Sequence, residues 1–227
     1  MSIEIKISLN EGIYLKDPQD SLLGRNIIKY SILLIEEVGF EGFNFKKLAQ
    51  EIGSTEASIY RYFENKHSLL IYLVSWYWEW VAFRIKMKTI NIDAPKKRLE
   101  IIIHVIVSAS LDDPSTDFVD EDKLHNVVIA EGTKAYRTKE VDQKNGKGIF
   151  KHYKQLISMV AGVILEINPK FEYPYALASN LFEMSNNHIY FAKHLPKLTD
   201  VDFEKDIHAE VEKILNHFAA KLLDYKI

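Results

Sequence analysis

The sequence contains no cysteine among its 227 residues. This absence excludes disulfide bonds, thiolate metal sites and a sulfur-based redox switch, and nothing in the composition indicates an oxidising compartment. The first ten residues alternate apolar and charged side chains, so they do not form the continuous apolar segment of a signal peptide. We therefore expect a cytoplasmic protein.

An excess of positive charge is also missing. The formal net charge is −3, with 29 Lys and Arg against 32 Asp and Glu. This balance argues against a protein that coats nucleic acid without selectivity, because such proteins carry a strong basic excess. Sequence-selective DNA binding stays open, since a few cations and helix N-termini suffice when the geometry concentrates them.

Motifs for catalysis and for membrane insertion are absent as well. There is no Gly-rich phosphate loop, nucleophile elbow or HExxH, and a single Asp122-x-x-His125 is the nearest approach to a di-iron bundle. The apolar run of residues 69–83 is interrupted by Glu79 and falls short of the roughly 20 residues of a membrane span. The acidic segment 112–122 lacks the glycine and spacing of an EF-hand loop, which favours a solvated loop. We expect no enzyme, cofactor, metal site or membrane segment.

What the chain does contain is a helix-turn-helix pattern between Asn44 and Leu69. Asn44 is placed to cap a first short helix, Gly53 to end it, and Thr55 to cap a second. The second helix of such a motif enters the major groove of DNA, although a helical hairpin that only packs would have the same outline. The outward residues of this second helix are predicted to be Glu56, Ala57, Ser58, Arg61 and Tyr62.

Apolar periodicity predicts an all-α protein around this motif. A first helix precedes the motif at residues 21–38, and a long helix continues from Lys66 toward Met87. The predicted organisation is an N-terminal extension at 1–20, a three-helix DNA-binding domain at 21–70, and a larger helical effector-binding and dimerisation domain at 71–227.

The N-terminal extension predicts a small β-hairpin. Apolar and polar residues alternate from Ile3 to Leu9, and a turn at residues 10–12 leads into Ile13-Tyr14-Leu15. A two-stranded hairpin is marginal in water by itself, so it must pack on helices or on a partner. It can cap the DNA-binding domain, contact DNA or contact a second copy of the chain.

Ten residues of the helix-turn-helix segment follow a family signature, nine at its specified positions and Arg61 at an unspecified one: Gly-x-x-x-x-Thr/Ser-aliphatic-Tyr-x-His/Tyr-Phe-x-Asn/Ser-Lys-x-x-Leu. They are Gly53, Ser58, Ile59, Tyr60, Arg61, Tyr62, Phe63, Asn65, Lys66 and Leu69. The segment from Leu22 to about Leu70 thereby resembles the TetR/AcrR-type transcriptional regulators. Ser54 departs from the pattern, because the family usually has an apolar residue after the glycine.

The resemblance implies a set of contacts to double-stranded operator DNA. Arg61 is the expected direct reader, because its guanidinium can bind guanine O6 and N7 together. Base edges would be reached by Lys46, Glu56, Ala57 and Arg61, and phosphates by Asn44, Ser58, Tyr60, Tyr62 and Lys66.

The resemblance also assigns homodimerisation to the last two helices, at about 175–195 and 203–224. Both carry apolar residues on more than one side, as expected of helices that pack on their own domain and on a partner. Burial wholly within the monomer is the alternative. A dimer would hold two recognition helices about 34 Å apart, which matches two half-sites of a palindrome one helical turn apart.

The resemblance further implies that a small-molecule effector binds the C-terminal domain. Effector binding would move the long helix and release the repressor from its operator. Helical phase places an apolar or aromatic effector among residues for which plain core packing is the leading alternative. These candidates are Trp76, Tyr77, Trp80, Ile103, His104, His125, Met159 and Phe182. The alternative to a regulator is a helical interaction module that no longer binds DNA sequence-specifically. The negative net charge and Ser54 permit this alternative.

Overall fold

A computed structural model describes residues 6, 7, 9, 12–108 and 118–224, and every structural statement below concerns these residues. They contain helices and no strand, so the all-α prediction is confirmed. Short 3-10 helices occur at Pro18–Asp20, Gly132–Ala135 and Pro196–Leu198. The α-helices are α1 (Leu22–Gly42), α2 (Phe45–Glu51), α3 (Glu56–Tyr60), α4 (Lys66–Thr89), α5 (Pro95–Val107), α6 (Glu121–Glu131), α7 (Val141–Gly146), α8 (Lys151–Ile167), α9 (Pro174–His194) and α10 (Ile207–Leu222).

The described residues group into two compact units. The first unit takes those of 1–80 and 110–152, and the second takes those of 81–109 and 153–227. The predicted boundary between residues 70 and 71 falls inside α4, which is continuous from Lys66 to Thr89. The assignment of separate functions to the predicted domains stays a prediction.

Helix α1 forms the centre of the first unit. Ser21 caps its start, where the Ser21 hydroxyl accepts a hydrogen bond from the Gly24 N–H at 3.1 Å. One side of the helix is buried against α6 and α2, and Ile27 and Ile32 are fully enclosed there. The helix is kinked near its end at Gly39, whose φ of +69° is a conformation that favours glycine.

Two predicted loops fall partly outside the described residues. The predicted N-terminal hairpin includes residues 1–5, 8, 10 and 11, and its described residues form no strand. The predicted acidic loop includes residues 112–117, which are also outside. At the described end of that loop Asp120 caps α6, where its carboxylate accepts from the Lys123 N–H at 3.0 Å.

Helices α5, α9 and α10 pack on one another in the second unit. The residues Leu181, Val211 and Leu215 are completely enclosed between them. At the periphery Arg98 of α5 forms an ion pair with Glu166 of α8. No helix in the described part of the chain is long and apolar enough to cross a membrane.

Candidate nucleic-acid interface

The turn between α2 and α3 is built as the sequence predicts. The Asn44 side chain accepts from the Lys47 N–H at 2.9 Å and caps α2. Gly53 has φ +62°, and the Ser54 N–H donates to the Ala49 carbonyl at 2.9 Å, which closes the turn. Ser54 is half-buried and fits this turn through its backbone.

Helix α3 presents a polar surface to solvent. The Thr55 hydroxyl caps the helix by accepting from the Ser58 N–H at 3.3 Å, and Ile59 is fully buried beneath it. Glu56, Ala57 and Arg61 are exposed, as predicted for residues that reach base edges. The buried Ile59 side chain anchors one side of α3 and Thr55 caps its start, so these exposed side chains project from a helix that is held in place.

The remaining predicted contacts have mixed surroundings. Lys46 is exposed. Asn44 is also exposed, although its side-chain oxygen Oδ1 caps α2. Ser58 is half-buried, with its hydroxyl 3.0 Å from that of Thr55. Tyr60 is 49% exposed and packs edge-on against Phe45, with ring centroids 5.1 Å apart. Lys46 of α2 and Tyr60, the last residue of α3, are therefore open to solvent.

Tyr62 contradicts the prediction of an outward side chain. Only 4% of its surface is exposed, and its hydroxyl lies 2.8 Å from the Ser21 hydroxyl. The Leu15 N–H donates to the Tyr62 carbonyl at 2.8 Å. The physical reason is the N-terminal extension, which lies against this side of the motif and covers the ring.

Lys66 is engaged inside the unit. Its ammonium donates to the carbonyl oxygens of Phe40 at 2.9 Å, Phe43 at 3.2 Å and Glu41 at 3.4 Å. It also lies 4.7 Å from the centre of the Phe40 ring. These carbonyls belong to the end of α1 and the turn after it, so Lys66 joins the start of α4 to the start of the helix-turn-helix.

Glu131 contributes to this region, and no sequence pattern predicts that it does. Its carboxylate accepts from the Phe40 N–H at 2.9 Å, at the kink that follows Gly39. Lys134 lies 2.7 Å from the same carboxylate, and this hydrogen bond raises the pKa of Lys134. The partners Phe40 and Glu131 are 91 positions apart, and no local pattern links them.

The first unit also contains four of the predicted effector contacts. Trp76, Trp80, Tyr77 and His125 are all at least 98% buried. The Trp76 and Trp80 rings stack with centroids 6.3 Å apart, and Tyr77 stacks on His125 at 5.5 Å. These four residues form one aromatic cluster of α4 and α6.

The other four predicted effector contacts lie in the second unit and do not share one surface. Ile103 and Phe182 are buried in its core, and Met159 is half-buried. His104 is exposed and pairs with Glu212 at 2.9 Å across α5 and α10. Those two residues line an open groove of about 1100 Å³ whose other walls include Lys97, Lys213 and His217. Exposed His104 thus faces a different environment from its buried neighbour Ile103.

Helices α9 and α10 combine a buried face with an exposed apolar flank. Apolar periodicity runs as a stripe through Leu177 and Leu181 of α9 and as a second stripe through Val211, Phe218 and Leu222 of α10. Leu177, Leu181 and Val211 are enclosed within their own unit. Other members of the same stripes are open, with exposed fractions of 42% for Phe218 and 55% for Leu222. Apolar surface thus remains on α10 after its own unit has been packed.

Comparisons with known proteins agree with this architecture. Residues 27–73 match the profile described as bacterial regulatory proteins, tetR family. None of the curated protein sequences matches the chain. Helical structures similar to this chain include FadR from Bacillus subtilis in complex with stearoyl-CoA, with TM-score 0.62 and 20% identity over 86% of this chain and 96% of that one.

Two further structures have the same fold. AibR in complex with isovaleryl coenzyme A and operator DNA has TM-score 0.60 and 15% identity, over 85% of this chain and 97% of that one. A TetR-family transcriptional regulator from Bordetella parapertussis 12822 has TM-score 0.57 and 15% identity, over 88% of this chain and 94% of that one. Residues 27–73 therefore carry a domain of the tetR family of bacterial regulatory proteins, and the chain shares the helical fold of these three structures.

Proposed function

We propose that the protein is a homodimeric repressor that binds a palindromic operator and leaves it when a small molecule binds. The observation that carries this proposal is the surface of α3, where Glu56, Ala57 and Arg61 project together into solvent from a helix with a capped start and a buried base. Such a surface suits direct reading of base edges in the major groove.

Dimerisation is the second part of the proposal. One α3 of five residues reaches only a few base pairs, so useful selectivity needs two copies on two half-sites. The exposed flank of α10, with Phe218 and Leu222, supports pairing through this helix, because apolar residues of this size favour a dry interface. Lys46 and Arg61 of both copies would then supply cations at the operator although the net charge of the chain is −3.

The effector proposed is a small molecule with an apolar or aromatic part, and acyl-coenzyme A thioesters, whose acyl chain is apolar, are the first class to test. Two similar structures hold such ligands, isovaleryl coenzyme A in AibR and stearoyl-CoA in FadR. An effector releases DNA only if it prefers the conformation that does not fit the operator. Release of bound operator by stearoyl-CoA or isovaleryl-CoA, and not by free coenzyme A, is the expected result.

The test of DNA reading begins with selection of bound sequences from random duplex DNA by the purified full chain. A palindrome with half-sites about one helical turn apart is expected. Arg61→Ala should then lose about 10- to 100-fold in affinity and relax selectivity at one position in each half-site, because a bidentate guanine contact contributes about 1–3 kcal/mol. The matched control is Arg137→Ala, an exposed arginine of the same unit outside the motif.

The second candidate function is a helical interaction module that does not read DNA, which the acidic composition favours. It predicts that no sequence is enriched by the selection and that Arg61→Ala behaves like Arg137→Ala. Enrichment of a palindrome together with a selective Arg61 effect would exclude it.

A further inference from the structure

Residues 12–20 of the N-terminal extension lie directly beside the end of the recognition helix α3. The Leu15 N–H donates to the Tyr62 carbonyl at 2.8 Å, two residues after α3 ends. The Tyr62 ring is buried under this segment, and its hydroxyl lies 2.8 Å from that of Ser21. The residue that the family signature offers to a phosphate is therefore withdrawn from the surface.

The described residues of the extension pack closely on the rest of the unit. Gln19 is buried, and its side-chain amide accepts from the Ile7 N–H at 3.2 Å and donates to the Ile7 carbonyl at 2.7 Å. Pro18 packs so closely on α1 that a Cβ built at Gly24 would lie 2.2 Å from the Pro18 carbonyl oxygen. The side chain of Ile13 is 3% exposed. A side chain carried by this segment therefore has a defined position relative to α3.

Among the described residues of the extension, one cation has no ion pair with another described residue. Lys6 lies 3.3 Å from Asp17 and 2.5 Å from Asp20, so its single positive charge is shared between these two acids. Lys16 is exposed and has no ion pair within the described part of the chain. Its ammonium lies 5.2 Å from the centre of the Tyr62 ring, a distance at which a cation is attracted to the ring face.

We propose that Lys16 binds a DNA phosphate at the edge of each half-site and so replaces the contact that buried Tyr62 cannot make. This inference rests on the proposed function, because it needs α3 to face the operator. The extension then has two roles. It covers Tyr62, and it supplies a contact to the DNA phosphate backbone from outside residues 27–73. A phosphate contact positions the protein on DNA and carries no base information.

The experiment measures duplex affinity as a function of salt for the full-length protein and the variants Lys16→Ala and Lys16→Arg. Lys139→Ala is the matched control, because Lys139 is an exposed lysine of the same unit, far from the motif in sequence. Removal of one phosphate contact per subunit should lower the slope of log affinity against log salt by about 1.8 in a dimer, since each contact contributes about 0.9. Lys16→Arg should keep the wild-type slope.

The loss caused by Lys16→Ala should be equal on the selected duplex and on a shuffled one, and the melting temperature should stay that of the wild type. If Lys16→Ala has the same slope of log affinity against log salt as Lys139→Ala, the phosphate contact is overturned. A loss of affinity by Lys16→Ala that is confined to the selected sequence would also overturn it. If the wild-type protein binds both duplexes equally, the proposed function fails. In that case the salt dependence of Lys16→Ala binding to the shuffled duplex still decides whether Lys16 contacts a phosphate.

Discussion

Replacement of Lys66 by alanine separates a structural role from a DNA contact. The ammonium is held by three backbone carbonyls, those of Phe40, Glu41 and Phe43. Hydrogen bonds from a charged donor contribute about 1.5–3 kcal/mol each when well buried. Lys66 is half-buried and its three bonds share one charge, so we expect a total loss of about 2 kcal/mol from Lys66→Ala.

For a chain of this size a loss of about 2 kcal/mol lowers the melting temperature by about 4–8 °C. Thermal unfolding followed by circular dichroism measures this change. The matched variant is Lys46→Ala, because Lys46 is an exposed lysine of the same motif. We expect Lys46→Ala to keep the wild-type stability within about 0.5 kcal/mol and to weaken operator binding.

The salt dependence of operator binding completes the comparison. Lys66→Ala should leave the slope almost unchanged, because its ammonium faces carbonyl oxygens of its own unit. Lys46→Ala should weaken binding to the operator more than binding to a shuffled duplex, because the family resemblance places this exposed lysine at base edges. The reasoning is refuted if Lys66→Ala melts like the wild type and lowers the slope by about 2, since Lys66 would then be the phosphate contact implied by the family resemblance.

Three other predictions concern stability, assembly and pH. Glu131→Ala should cost about 1–3 kcal/mol in urea unfolding, because the Phe40 N–H loses its acceptor, whereas Glu41→Ala should cost no more than about 1 kcal/mol. Phe218→Glu should give monomers in light scattering and weaken operator binding, because it places a charge on the exposed flank of α10. Burial lowers the pKa of His188 in the folded state, so its contribution to stability is complete above about pH 6.5 and is lost as the pH falls below that value.

Each of these predictions has a contradicting result. Equal costs for Glu131→Ala and Glu41→Ala would mean that the cap of the α1 kink contributes nothing. A Phe218→Glu variant that remains dimeric would exclude this flank from the interface. For the pH prediction, His188→Gln should flatten the unfolding free energy between pH 5 and 7 relative to wild type, and a variant with the same pH profile as wild type would remove His188 as the cause.

Much of the helix-turn-helix could be predicted from the sequence because its signals are local. The caps at Asn44 and Thr55 bond within three residues, and Gly53 adopts the conformation for which glycine is suited. The outward residues Glu56 and Arg61 also follow from the phase of one short helix. These parts need only the chain within a few positions of each residue.

The features that local patterns did not predict arise where distant segments meet. Tyr62 has the right phase to face outward, yet it is covered by a segment whose contact at Ser21 is 41 positions away. Lys66 finds its carbonyl partners 23 to 26 positions away. His104 follows Ile103 directly, and the apolar pattern of α5 did not reveal that the histidine pairs with Glu212 on the exposed side. Tertiary packing decided each of these positions.

The most direct test of DNA reading is the ratio of two dissociation constants measured at one salt concentration. The wild-type dimer is titrated against the palindrome obtained by selection and against a shuffled duplex of the same composition. A sequence-specific regulator should bind the palindrome at least about 1000-fold more tightly. A ratio near one would contradict the proposal that Glu56, Ala57 and Arg61 read an operator.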